Sequence, residues 1–97
     1  MAVRYKRQYS LIIQDLVEAL KHLEGYYRLI GFDDKGWNRL DEEQQYECLK
    51  TMSHDIIYGL GTEPIIEVGN GKVQYESQLA QIRVFDGDNC VHVVRLN

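Results

Sequence analysis

The period of this chain changes at Pro64. Upstream of it, apolar residues recur at steps of three and four, as on one face of a helix; downstream they alternate, as on a strand, between clusters of turn residues. A chain of this kind cannot close as a helical bundle or as a sandwich. It must lay a helical layer against a sheet.

In the first periodic segment Leu11, Ile12, Leu16, Ala19, Leu20 and Leu23 form the stripe, and Ile13 and Val17 widen it. The pattern predicts a helix over about 10–30 with Ser10 as its N-cap. Gly25 either ends that helix in the left-handed conformation or lies inside one that runs on through Tyr26, Tyr27, Arg28, Leu29 and Ile30 to Gly31. Residues 32–39, with Asp33, Asp34, Gly36 and Asn38, read as a turn-rich connection. A second helix is predicted over about 41–60. Asp41 and Gln44 have capping-box spacing, Glu42 and Glu43 suit the positive end of the helix dipole, and the stripe runs from Gln45 or Tyr46 through Leu49, Met52, Ile56 and Leu60, with Ile57 beside it. Gly59, Gly61 and Pro64 end it.

Beyond Pro64, Asn70-Gly71 is the expected two-residue hairpin loop, in a type I′ turn that pairs Val68 with Val73 and Ile66 with Tyr75 and leaves Glu67 and Gln74 on the other face. A second hairpin carries Ala80, Ile82 and Val84 before the loop 86–89, and Val91 and Val93 after it. Cys90, His92, Val94 and Leu96 fall on the opposite face of its last strand, which implies a strand that is central or covered on both sides. The expected fold is α+β: two N-terminal helices packed on a C-terminal antiparallel sheet of three to four strands, with hairpins at about 64–77 and 79–96, in a single domain over 1–97.

With 97 residues, 44% apolar and 27% charged, the chain is long enough for one modest core. It holds no run of the roughly 20 apolar residues that a membrane helix needs, and no signal-peptide pattern follows Arg4, Lys6 and Arg7. Cys48 and Cys90 are too few for a disulfide framework, so a cytoplasmic protein is expected. The net charge of −4 argues against a nucleic-acid partner.

Patterns that would bring chemistry are weak. Cys90 and His92, with Cys48 and His54, lack the close ligand pairs of a zinc site and the third group of a nucleophilic site. His54 and Asp55 are neighbours in sequence and diverge on a helix. Asp86-Gly87-Asp88-Asn89 offers too few oxygens for calcium, and Gly69-Asn70-Gly71-Lys72 precedes a strand where a phosphate loop precedes a helix. No cofactor or metal is expected.

Tyrosine usage stands out: seven, against two Phe and one Trp. Tyr suits positions with one end buried and one end wet, so Tyr26, Tyr27 and Trp37 become candidate contact residues. The acidic run of Asp33, Asp34, Asp41, Glu42, Glu43 and Glu47 is accounted for by solubility and capping; read more sharply, Asp33, Asp34, Glu43 and Glu47 belong to a patch that docks a basic protein. A homo-oligomer is compatible with the same composition.

The helical hairpin followed by strands, ending in Gln81-Ile82-Arg83-Val84-Phe85-Asp86-Gly87-Asp88-Asn89-Cys90-Val91-His92-Val93-Val94-Arg95, resembles the C-terminal half of RelE/ParE-type toxins. The resemblance implies a first strand, which Val3 to Tyr9 would have to supply, and, for members that cleave RNA, a cationic groove, for which Arg83, His92 and Arg95 are the available residues. Elimination leaves a small non-catalytic binding or regulatory protein (inhibitor, immunity-type or complex subunit) as the expected class, with a RelE/ParE-like toxin or small ribonuclease as its competitor.

Overall fold

The computed structural model describes residues 3–97; the first two positions of the expected domain lie outside them. The architecture is α+β, with helices first and a four-stranded antiparallel sheet after them in the order β1-β2-β3-β4. Helix α1 spans Tyr9–Leu20, a 3₁₀ turn spans Tyr26–Ile30, the short α2 spans Asp34–Asn38 and α3 spans Glu42–Leu60; the strands are β1 Ile65–Val68, β2 Gly71–Glu76, β3 Gln81–Asp86 and β4 Asn89–Arg95. Among the described residues no helix is long and apolar enough to cross a membrane.

Helix α1 is shorter than its periodicity predicts. It stops at Leu20, Gly25 takes φ +74°, and residues 26–30 wind on as 3₁₀ before Gly31 at φ +88°. The two left-handed residues turn the chain so that Leu23 still reaches the core while Tyr26 and Tyr27 leave the helical stripe. Its N-cap is Gln8, without a side-chain cap, so Ser10 lies inside the helix. The connection at residues 32–39, expected as a series of turns, contains a turn of helix, α2, capped where the Gly36 amide donates to Asp33 Oδ1 at 2.7 Å. Helix α3 opens as its sequence dictates. The Gln44 amide donates to Asp41 Oδ1 at 2.8 Å and the Asp41 amide to Gln44 Oε1 at 3.0 Å, which completes the capping box.

The two long helices run antiparallel on one face of the sheet. The start of α1 lies beside His54, and its exit at Lys21 lies beside Glu42 and Tyr46. Ile12, Leu16, Val17 and Leu20 of α1 and Leu49, Met52, Ile56 and Leu60 of α3 close over Val68, Val73, Ile82, Val84 and Val94. Burying each such side chain stabilises the fold by about 1.5–3 kcal/mol.

Two strand assignments need correction. The first hairpin turns at Gly69-Asn70, one position earlier than expected, and pairs Val68 with Gly71 and Ile66 with Val73. Gly69 has φ +57° while Asn70 stays negative, the pattern of a type II′ turn. Gly71 therefore serves a different purpose: a Cβ there would overlap the Phe85 carbonyl oxygen and approach Leu23 Cδ2 to 2.7 Å. The partners differ from expectation by two residues, which leaves each side chain on its expected face.

The second hairpin turns at Gly87-Asp88, with Asp86 paired to Asn89. A bulge then intervenes: Phe85 pairs with Cys90 but Val84 with His92, so Val91 is an extra residue. One inserted residue exchanges the faces of the rest of β4. Val94 and Leu96 point into the core, whereas Val91 and Val93 stand on the outer face, and β4 is an edge strand that is not covered on both sides. No strand forms between Val3 and Gln8, although the Lys6 and Arg7 amides both donate to the Leu96 carbonyl, at 2.8 and 2.9 Å.

Candidate protein-interaction surface

The connection between α1 and α3 is organised around Trp37. Its indole is 4% exposed, and three rings surround it: Tyr27 stacked at 5.3 Å between centroids, and Tyr26 and Phe32 edge-on at 5.5 Å each. Gln45 Nε2 donates to the Trp37 carbonyl at 2.9 Å and ties the cluster to the first turn of α3. Trp37 is thus the buried anchor of this region, and Tyr26 and Tyr27 are held half-exposed against it. Offset and edge-on aromatic pairs of this kind contribute about 0.5–1.5 kcal/mol each beyond their buried area.

The acidic residues divide into two groups. Asp33 and Asp41 are consumed as caps. Asp34 accepts a short hydrogen bond from the Tyr27 hydroxyl and lies 3.5 Å from Arg28. The Tyr27 hydrogen bond first, and then the Arg28 cation, hold the Asp34 carboxyl below its ordinary value, while the same bond raises the Tyr27 phenol. Glu42, Glu43 and Glu47 are exposed and engage no cation among the described residues. Glu43 and Glu47 are four apart on α3, a like-charge spacing that costs a helix roughly 0.2–0.5 kcal/mol. Beside them a cleft of about 560 Å³ opens between Tyr26 and Tyr46, with Glu42 and Glu43 on its rim and Leu49 as floor. Lys21 also lines it, but its ammonium is paired with Glu18 at 3.2 Å.

Arg83, His92 and Arg95 are not brought together. Arg83 and Arg95 are on the outer face of the sheet, where Arg83 Nε donates to Gln81 Oε1 at 2.8 Å; His92, opposite Val84, is on the helix-facing side and stacks on His22 at 6.3 Å. Cys90 is exposed and Cys48 half-buried, and among the described residues no group of three or more His, Cys, Asp or Glu is arranged to hold a metal.

Sequence reasoning missed one polar contact in the helical layer. Tyr9 Oη and His54 Nδ1 share a hydrogen bond at 2.8 Å, with Tyr5 packed on Tyr9 at 5.3 Å; burial and then Tyr5 raise the Tyr9 phenol. The two residues are far apart in sequence, and only the antiparallel pairing of α1 with α3 predicts that the first turn of one meets the second half of the other. The most exposed aromatic, Tyr58 at 87%, lies close to this pair and outside the group singled out from the sequence.

Comparison with protein-family models, curated proteins and solved structures finds no match to this chain.

Proposed function

We propose that this chain is a small non-catalytic binding or regulatory protein, of the inhibitor, immunity-type or complex-subunit kind, which works in the cytoplasm and receives a basic segment of a partner protein at the start of α3. The observation that carries this reading is the cleft between Tyr26 and Tyr46, whose rim carboxylates, Glu42 and Glu43, have no cation of their own among the described residues. Half-buried tyrosines beside an apolar floor supply contact area with little side-chain entropy to lose, and the unpaired carboxylates supply orientation and attraction. A Lys or Arg side chain can lay its stem on Leu49 and its charge between the glutamates. The separation of Arg83 and Arg95 from His92 by the thickness of the sheet gives the competing ribonuclease reading no common site.

The test is capture from cell lysate by the immobilised protein, with partners identified by mass spectrometry. A basic protein should be retained at low salt, and the double variant Glu43→Lys/Glu47→Lys, folded as judged by circular dichroism, should retain roughly tenfold less, equivalent to about 1.4 kcal/mol. Cleavage of RNA by the purified protein, abolished by Arg83→Ala, would replace this reading with the enzymatic one.

A further inference from the structure

The outer edge of β4 is open and is chemically different at its two ends. The Leu96 amide donates to the Ala80 carbonyl at 2.9 Å, so that amide, and by alternation the backbone groups of Val94 and His92, face β3, while the Leu96 carbonyl, just past the end of β4, is free to accept from elsewhere. The backbone groups of Val93 and Arg95 consequently face outward, and Arg7 Nη1 donates to the Arg95 carbonyl at 3.2 Å from that side. Together with the Lys6 and Arg7 amides on Leu96, this is the cover the described residues give the edge, and it lies wholly at the C-terminal end. Toward the turn no described residue from outside the hairpin hydrogen-bonds to the edge, and the bulge places Val91 and Val93 beside it on the outer face, 40% and 41% exposed.

Charge is segregated along the same edge. The turn end carries Asp86 and Asp88, both exposed; the other end carries Arg95 and Lys6, both exposed and in no ion pair among the described residues. A strand of this length separates the two ends by about 20 Å. We infer that β4 is the contact of a symmetric homodimer, in which two copies pair antiparallel, edge to edge, about a twofold axis near His92. Antiparallel pairing sets the acidic turn of each copy beside the basic end of the other, twice by symmetry, and brings the Val91 and Val93 side chains of both copies together on one face of an eight-stranded sheet. Parallel pairing would set like charges side by side. The contact uses none of the residues of the acidic cleft.

Sedimentation equilibrium on the full chain tests this. The wild type should show a reversible monomer–dimer equilibrium that weakens with added salt. Val93→Pro removes an outward amide without touching the β3–β4 ladder and should raise the dissociation constant at least tenfold. Asp88→Arg should weaken the dimer comparably, as should Arg95→Asp, and the double variant should recover most of the loss, an outcome that misfolding of either single variant would not produce. A monomer at every concentration up to millimolar, or a dimer indifferent to all of these substitutions, would overturn the inference.

Discussion

The hairpins β1–β2 and β3–β4 are each closed by two residues with a left-handed glycine in first place, Gly69 at φ +57° and Gly87 at φ +60°, yet they stand in opposite surroundings. A Cβ on Gly69 would overlap the Glu24 carbonyl oxygen and lie 2.9 Å from the Gly25 carbonyl carbon; a Cβ on Gly87 would meet nothing within 4 Å. The Asn70 amide also donates to Glu24 at 3.2 Å, so the first turn is bolted to the exit of α1. The second projects into solvent and leads into a bulged edge strand. Two turns that read alike in sequence therefore do different work: the first fixes the sheet to the helical layer, and the second leaves an edge free to meet another chain.

Substitutions at three glycines probe that contrast by thermal denaturation. Gly71→Val should have the largest effect, about 3 kcal/mol or more, because the new side chain would displace both the β3 backbone at Phe85 and the Leu23 side chain. Its loss comes from close approach and not from left-handed backbone, so Gly71→Ala should also be destabilising although φ there is ordinary. Gly69→Ala combines a left-handed position with a backbone overlap and should cost roughly 2 kcal/mol. Gly87→Ala has only the conformational term and should cost about 1 kcal/mol, a fall of about 4–8 °C in Tm for a domain of this size. If Gly69→Ala and Gly87→Ala proved equal, the contrast between the hairpins would collapse to local turn geometry.

Much of the fold was written locally. Asp41 and Gln44 sit three apart before an apolar stripe, and the box they form needs nothing from the rest of the chain. The alternation of Ile66, Val68 and Val73 is the same for either turn because the two sets of partners differ by two residues. What could not be read depends on distant residues. Gly69-Asn70 and Asn70-Gly71 are both acceptable two-residue loops, and the choice is made by Leu23, Glu24 and Phe85, which crowd Gly69 and Gly71. The bulge at Val91 has no local signature either, and by exchanging faces it turned the expected inward residues of β4 outward.

For the candidate surface, residue type conveys exposure and little more. Glu43, Glu47, Tyr26 and Tyr27 are exposed or half-exposed as their residue types suggest, whereas Trp37 is buried and the carboxylates of Asp33 and Asp34 are engaged within the chain. Residue type announces that an aromatic side chain has one apolar body to bury, but not whether its own chain or a partner will cover it. Here the left-handed Gly25 and Gly31 fold the 3₁₀ turn back, so that Tyr26, Tyr27 and Phe32 enclose Trp37.

The central claim is that the start of α3 attracts a basic partner through unpaired carboxylates, and the association rate as a function of ionic strength tests it most directly. Between 0.01 and 0.1 M salt the Debye length falls from about 30 Å to about 10 Å, so steering by Glu42, Glu43 and Glu47 should weaken steeply over that interval. For the protein captured at low salt, the association rate should drop across this range, and Glu43→Lys/Glu47→Lys should lower it further at 0.01 M while the variant stays folded, its stability reduced only by about 1 kcal/mol because the charge of Glu43 no longer complements the α3 dipole. An association rate indifferent both to salt and to the charge reversal would contradict the account.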